Sequence, residues 1–95
     1  MKTLTLLRHA KSSWRDTSLK DRDRPLNKRG EHDAPEMGKR IDAAGIRPSL
    51  IVSSPAVRAW TTARAAARAL DYPLEHLERE DNLYLASLDD LLDVV

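Results

Sequence analysis

Cysteine is absent from this 95-residue chain, so neither a disulfide framework nor a thiolate metal site is available. Phenylalanine is absent as well, and Trp and Tyr number two each. Alanine accounts for 12 of the apolar residues, which leaves 27 larger ones and therefore a thin core. Charge of one sign is not in excess: 16 Lys and Arg face 15 Asp and Glu, which excludes a histone-like polycation. A hydrophobic content of 41% argues equally against wholesale disorder. Long apolar runs are missing too. Leu4 to Leu7, with Thr5 inside it, is too short for a signal sequence or a membrane span. A cytoplasmic protein with no membrane partner is the expectation. Domains commonly hold about 100–150 residues, so residues 1–95 form at most one.

What is present is unevenly placed. Residues 1–29 carry nine basic and three acidic groups, whereas residues 30–95 carry seven basic and twelve acidic. An anion would go to the N-terminal third. Thr3 to Leu7 reads as a buried strand that delivers Arg8 and His9 at its C-terminal end. Lys11 to Arg29 has no sustained period, holds seven basic residues and Trp14, and reads as a long charged surface loop. Its net charge of +4, interrupted by three Asp, is too modest for a nucleic-acid partner.

Asn27 can cap a helix with Ala34, Met37, Gly38, Ile41 and Ala44 on one face and Gly45 as its stop. Pro35 predicts a kink near residues 31–35 or a late start there. Ser49 to Ser53 is a second strand. Ser54-Pro55 then opens a helix lined by Val57, Trp60, Ala63, Ala67 and Leu70. Trp60 belongs to the core, whereas Arg64 and Arg68 form a solvated face. A third strand is expected at Leu74 to Leu77 and a third helix from Ser87. This order implies parallel strands covered by helices, with ligands beyond the carboxyl ends of the strands. Arg8, His9, Ser53 and Ser54 all fall at that edge.

If the first two strands are neighbours, Arg8, His9 and Arg58 converge with the exposed N–H groups of the second helix into a phosphate-shaped site. A neutral imidazole there is a nucleophile toward phosphorus, and guanidinium groups offset the charge of the transferring oxygens. No metal and no cofactor is called for. The same pair also fits a bland role, with His9 satisfying a backbone carbonyl and Arg8 solvating a strand end. Trp14 fits either a lid or stack over a substrate or a simple loop anchor.

Three blocks narrow the choice. Leu6 to Ser12, Arg24 to Gly30, and Val52 to Ala59 with Thr61 to Ala63 resemble, in order and spacing, successive blocks of the histidine phosphatase superfamily. The likeness is greatest to its small members of the SixA phosphohistidine phosphatase type. The resemblance implies an α/β fold, a three-layer α/β/α sandwich of the phosphoglycerate-mutase-like kind. It implies that His9 is phosphorylated, that Arg8 and Arg58 hold the phosphoryl oxygens, and that the Ser12 region adds a hydroxyl. Ala10 stands where the commonest form of the motif has Gly.

The substrate class implied is phosphohistidine on a protein, and the short connections suit a shallow site open to a protein surface. A small phosphoester is the alternative, and a non-catalytic phosphoryl-binding module is a third reading. The proton donor stays open between Glu80, Asp81 and neither, since Asn82 stands where an acid is often found. Superfamily members also carry a second site histidine, after a later strand and a Gly. His32 and His76 lie in charged surroundings and do not serve, so the chain is expected to be the N-terminal portion of such a domain.

Overall fold

The computed structural model describes residues 4–16 and 18–84. Helix α1 spans Lys28–Ala43 and helix α2 spans Val57–Ala69. Strand β1, Val52–Ser53, pairs in parallel with strand β2, Glu78–Arg79, with Val52 opposite Glu78 and Ser53 opposite Arg79. No helix of the described residues is long and apolar enough to cross a membrane.

Each helix has ends that follow from its residues. The Asn27 side chain accepts the Gly30 N–H at 2.7 Å, as a capping residue does. At the other end Gly45, at φ 78°, lets the Gly45 and Ile46 N–H groups return to the Asp42 and Ile41 carbonyls. Pro35 lies well inside α1, so the late start it predicted does not occur. Helix α2 closes in the same way, but Asp71 takes the left-handed position, at φ 58°. Aspartate is one of the few residues besides Gly that tolerates it.

The expected start of α2 is corrected. Ser54 does not cap the helix. Its Oγ instead accepts the Ala56 N–H at 3.2 Å, which makes a turn ahead of Val57. The buried face is Arg58, Thr62, Ala66 and Ala67, so the apolar stripe is rotated from the expected one, with Val57 exposed and Trp60 half-buried. Trp60 lies under the Arg79 guanidinium, 4.1 Å from its ring centre, instead of deep in the core.

Three strand expectations are corrected too. Leu4 to Leu7 pairs with nothing among the described residues and leaves Leu4, Leu6 and Leu7 exposed. A strand exists only where a neighbour completes its hydrogen bonds. The second strand shrinks to Val52–Ser53, and Leu74–His76 is a 3-10 turn with the strand following it. The expected third helix lies outside the described residues.

The core is mostly alanine. Ala10, Leu26 and Ala34 form its cluster, with Met37 and Ala65 packed against it. Side chains this small let the backbones approach closely. A Cβ added to Gly38 would sit 2.7 Å from the Ala69 Cβ and 3.0 Å from the Ala66 Cα, so α1 and α2 touch at that point.

Candidate functional site

The base of the long loop is stapled. Ser13 donates its N–H to the Pro25 carbonyl at 2.8 Å, and Asn27 donates to that of Lys11 at 2.9 Å. Ser12 and Leu26 are thereby paired across an antiparallel bridge. The staple continues into α1, because a Cβ on Gly30 would collide with the Lys11 backbone. One residue upstream, buried Ala10 donates its N–H to the Thr62 hydroxyl at 3.1 Å, and that hydroxyl donates to the Arg58 carbonyl at 2.8 Å. The segment bearing His9 is thus fastened to the turn of α2 that bears Arg58.

His9 Nδ1 lies 2.7 Å from the Ala10 carbonyl. A carbonyl only accepts, so this contact calls for the proton on Nδ1, and in the neutral ring that tautomer has its lone pair on Nε2. The bland role foreseen for His9, a bond to a backbone carbonyl, is thus present in the structure. Arg8 is exposed. Neither Arg8 nor His9 makes a side-chain bond to Arg58 among the described residues.

Arg58 is buried, and its guanidinium grips one residue twice. Nη1 donates to the Asp21 carbonyl at 2.6 Å and Nη2 to Asp21 Oδ2 at 2.9 Å. Arg24, buried as well, donates from Nη2 to Asp21 Oδ1 at 3.0 Å and from Nη1 to the Ser12 hydroxyl. The Arg24 Nε is buried without a partner. Tyr84 completes the cluster by donating its hydroxyl to Asp21 Oδ2 at 2.5 Å. Two guanidinium groups therefore share a single carboxylate, which leaves the cluster cationic and suited to a further anion.

The Asp21 carboxyl is held well below the usual carboxylate range, by the Tyr84 hydroxyl first and then by Arg24 and Arg58. Such a group stays ionised and anchors cations; it is a poor proton donor. The Tyr84 phenol is pushed up by the same bond to Asp21. Of the two acids named from sequence, Glu80 caps the turn at Asn82 and Asp81 lies 3.9 Å from Arg22. Ser53 and Ser54 are both engaged locally, Ser53 Oγ donating to the Ser54 carbonyl at 2.8 Å and Ser54 Oγ accepting the Ala56 N–H. His32 and His76 are exposed.

Sequence reasoning singled out His9, Arg8, Arg58 and Ser12 but assigned no role to Asp21, Arg24, Thr62 or Tyr84. Arg24 stood inside a quoted block, so a signal existed for it. Asp21 sits in a run of alternating Asp and Arg that resembles any solvated turn.

A family model of the histidine phosphatase superfamily (branch 1) matches residues 4–90, and the chain belongs to that superfamily. Its fold is the phosphoglycerate-mutase-like fold of the SixA proteins. A crystal structure of a candidate phosphohistidine phosphatase SixA from Agrobacterium tumefaciens superimposes with a TM-score of 0.83 at 32% identity, over 94% of this chain and 56% of that one. A second SixA candidate, from Nakamurella multipartitia, gives 0.73 at 27% identity, over 95% and 48%. An uncharacterized chloroplastic protein of Arabidopsis thaliana is 47% identical over 68 residues, which are 72% of this chain and 31% of that protein. The chain thus spans about half the length of the solved relatives and a third of this curated one.

Proposed function

We propose that the protein is a phosphatase working through a phospho-His9 intermediate, with phosphohistidine on a protein as its substrate. The observation that carries this reading is the chain of bonds from the Ala10 N–H to the Thr62 hydroxyl to the Arg58 backbone carbonyl, which ties the His9 segment to the helix turn that bears a buried guanidinium. Family membership and the likeness to SixA structures support it.

In this reading the Nε2 lone pair of His9 attacks phosphorus while the bond from phosphorus to the leaving atom breaks, and that atom takes a proton from solvent. Water then attacks the phosphorus of the phosphohistidine and gives up a proton to solvent, the N–P bond breaks, and its electron pair returns to Nε2. Arg58, with Arg24 beside it and Arg8 nearby in sequence, offsets the charge on the transferring oxygens. Ser12, held by Arg24, keeps that guanidinium in place. No metal or cofactor takes part.

The test is trapping. Incubation with a labelled small phosphate donor should leave acid-labile label on the wild-type chain and none on His9→Ala, with circular dichroism unchanged. Arg58→Lys keeps the charge but loses the planar two-point grip, and turnover of an aryl phosphate should fall more than ~10-fold. Label retained by His9→Ala would overturn the mechanism.

A further inference from the structure

The guanidinium on which the proposed chemistry relies is already in use. Arg58 donates from both Nη atoms to one residue, the Asp21 carbonyl and Asp21 Oδ2, while Arg24 donates to Oδ1 of the same carboxylate. The Nη1–Nη2 end of a guanidinium is one of the edges that can grip a pair of phosphoryl oxygens, and here it is filled by two oxygens of Asp21. Arg58 is buried, whereas Asp21, which sits against its tip, is exposed.

The segment that brings Asp21 there is lightly held. Asp21 opens the 3-10 turn Asp21–Asp23, which buries no residue and has no side-chain cap. Its backbone N–H bonds are internal, Asp23 to Lys20 and Arg24 to Asp21. Apart from the bonds of Asp21, the polar ties of this turn to the rest of the molecule, among the described residues, are those of Arg22, 3.9 Å from Asp81 and 5.4 Å from the Tyr84 ring centre. Exposed pairs of that kind contribute little, so the turn is fastened chiefly through Asp21 itself.

We propose that Asp21 is a built-in occupant of the anion site, a carboxylate strap that an incoming phosphoryl group must displace from Arg58 before it binds. This rests on the phosphatase reading, in which Arg58 takes the phosphoryl oxygens, and adds how access to that residue is regulated. Tyr84 is the latch of the strap, because its hydroxyl donates to the same Oδ2 that Arg58 holds. The apparent dissociation constant is then the intrinsic one divided by the fraction of molecules whose strap is open, so a strap closed in about nine molecules of ten weakens binding about 10-fold. The rival role is a support that orients Arg58 for the anion. Losing a support weakens binding, whereas losing a strap tightens it.

That difference of sign is the test. The full chain is titrated with inorganic phosphate at fixed pH and ionic strength, following chemical shifts of the backbone amides, with circular dichroism as the check on folding. Asp21→Asn should bind phosphate about 10-fold tighter than the wild type. Asp23→Asn removes the same charge from a side chain of the same turn that makes no bond to Arg58, and should gain no more than about 2-fold, the size of a unit charge acting through water at roughly 10 Å. Tyr84→Phe releases the latch without changing the charge and should bind a few-fold tighter. If Asp21→Asn does not fold, Tyr84→Phe decides the question alone. An Asp21→Asn chain that binds no better than Asp23→Asn overturns the strap, as does a Tyr84→Phe chain unchanged or weaker, and in either case phosphate binding by the wild type leaves the phosphatase reading standing. If no variant binds phosphate, the phosphoryl site itself is wrong and the strap falls with it.

Discussion

At the scale of single residues, Asp21 organises the site, and its ionisation makes testable statements. Its carboxyl is lowered in the folded chain, so its bonds contribute stability above the unfolded carboxylate value of about 4 and lose it only as pH falls toward the lower folded value. The cluster should therefore be intact across neutral pH and loosen only in acid. Tyr84 runs the other way. Its phenol is raised, so its bond stands below about pH 10 and is lost as pH climbs through the higher folded value. Following phenolate absorbance against pH should show one band that moves to lower pH in Asp21→Asn and vanishes in Tyr84→Phe. A band unmoved by Asp21→Asn would mean the two groups are not bonded in solution. His9 and Arg58 were singled out in sequence because they stand in blocks that resemble those of the histidine phosphatase superfamily. Asp21 and Tyr84 were not, because what makes them special is meeting each other across 63 positions.

Among elements, the two helices carry most of the order, and each offers a single-atom test. Adding a methyl at Gly38 gains up to about 1 kcal/mol of helix propensity but must displace Ala69 and Ala66, and overpacking of that kind costs about 1–3 kcal/mol. Gly38→Ala should thus lower the denaturant midpoint with little change in slope. Thr62→Val removes the acceptor of the buried Ala10 N–H and should cost about 1–3 kcal/mol. Amide exchange at Ala10 should quicken in that variant, and phosphorylation of His9 should weaken with it; unaltered exchange would refute the link. Helix α1 was legible to its ends because Asn27 and Gly45 are local signals, acting through their own backbone. The strands were not. Thr3 to Leu7 has the composition of a buried strand, yet composition reports a willingness to pair, and the pairing must come from elsewhere in the chain. Leu74 to Leu77 similarly looked extended but turns, with Pro73 ahead of it and the His76 N–H closing back on the Pro73 carbonyl.

For the molecule as a whole, the thin core foreseen from composition shows as alanine contacts, and larger apolar side chains stand outside it. Leu4, Leu6 and Leu50 are 51%, 65% and 54% exposed. The 95-residue polypeptide should accordingly self-associate with rising concentration, as size-exclusion chromatography would register, and Leu6→Ser with Leu50→Ser should reduce it. A wild-type chain monodisperse at high concentration would contradict this. The bonds of Asp21 have one more consequence, which concerns time. They close chain separations of 3, 37 and 63 residues onto one carboxylate. The shortest closure is the cheapest in entropy and the longest the dearest, so Arg24 should join Asp21 before Arg58 and Tyr84 do. During folding the anion site should therefore be finished after the helices that support it.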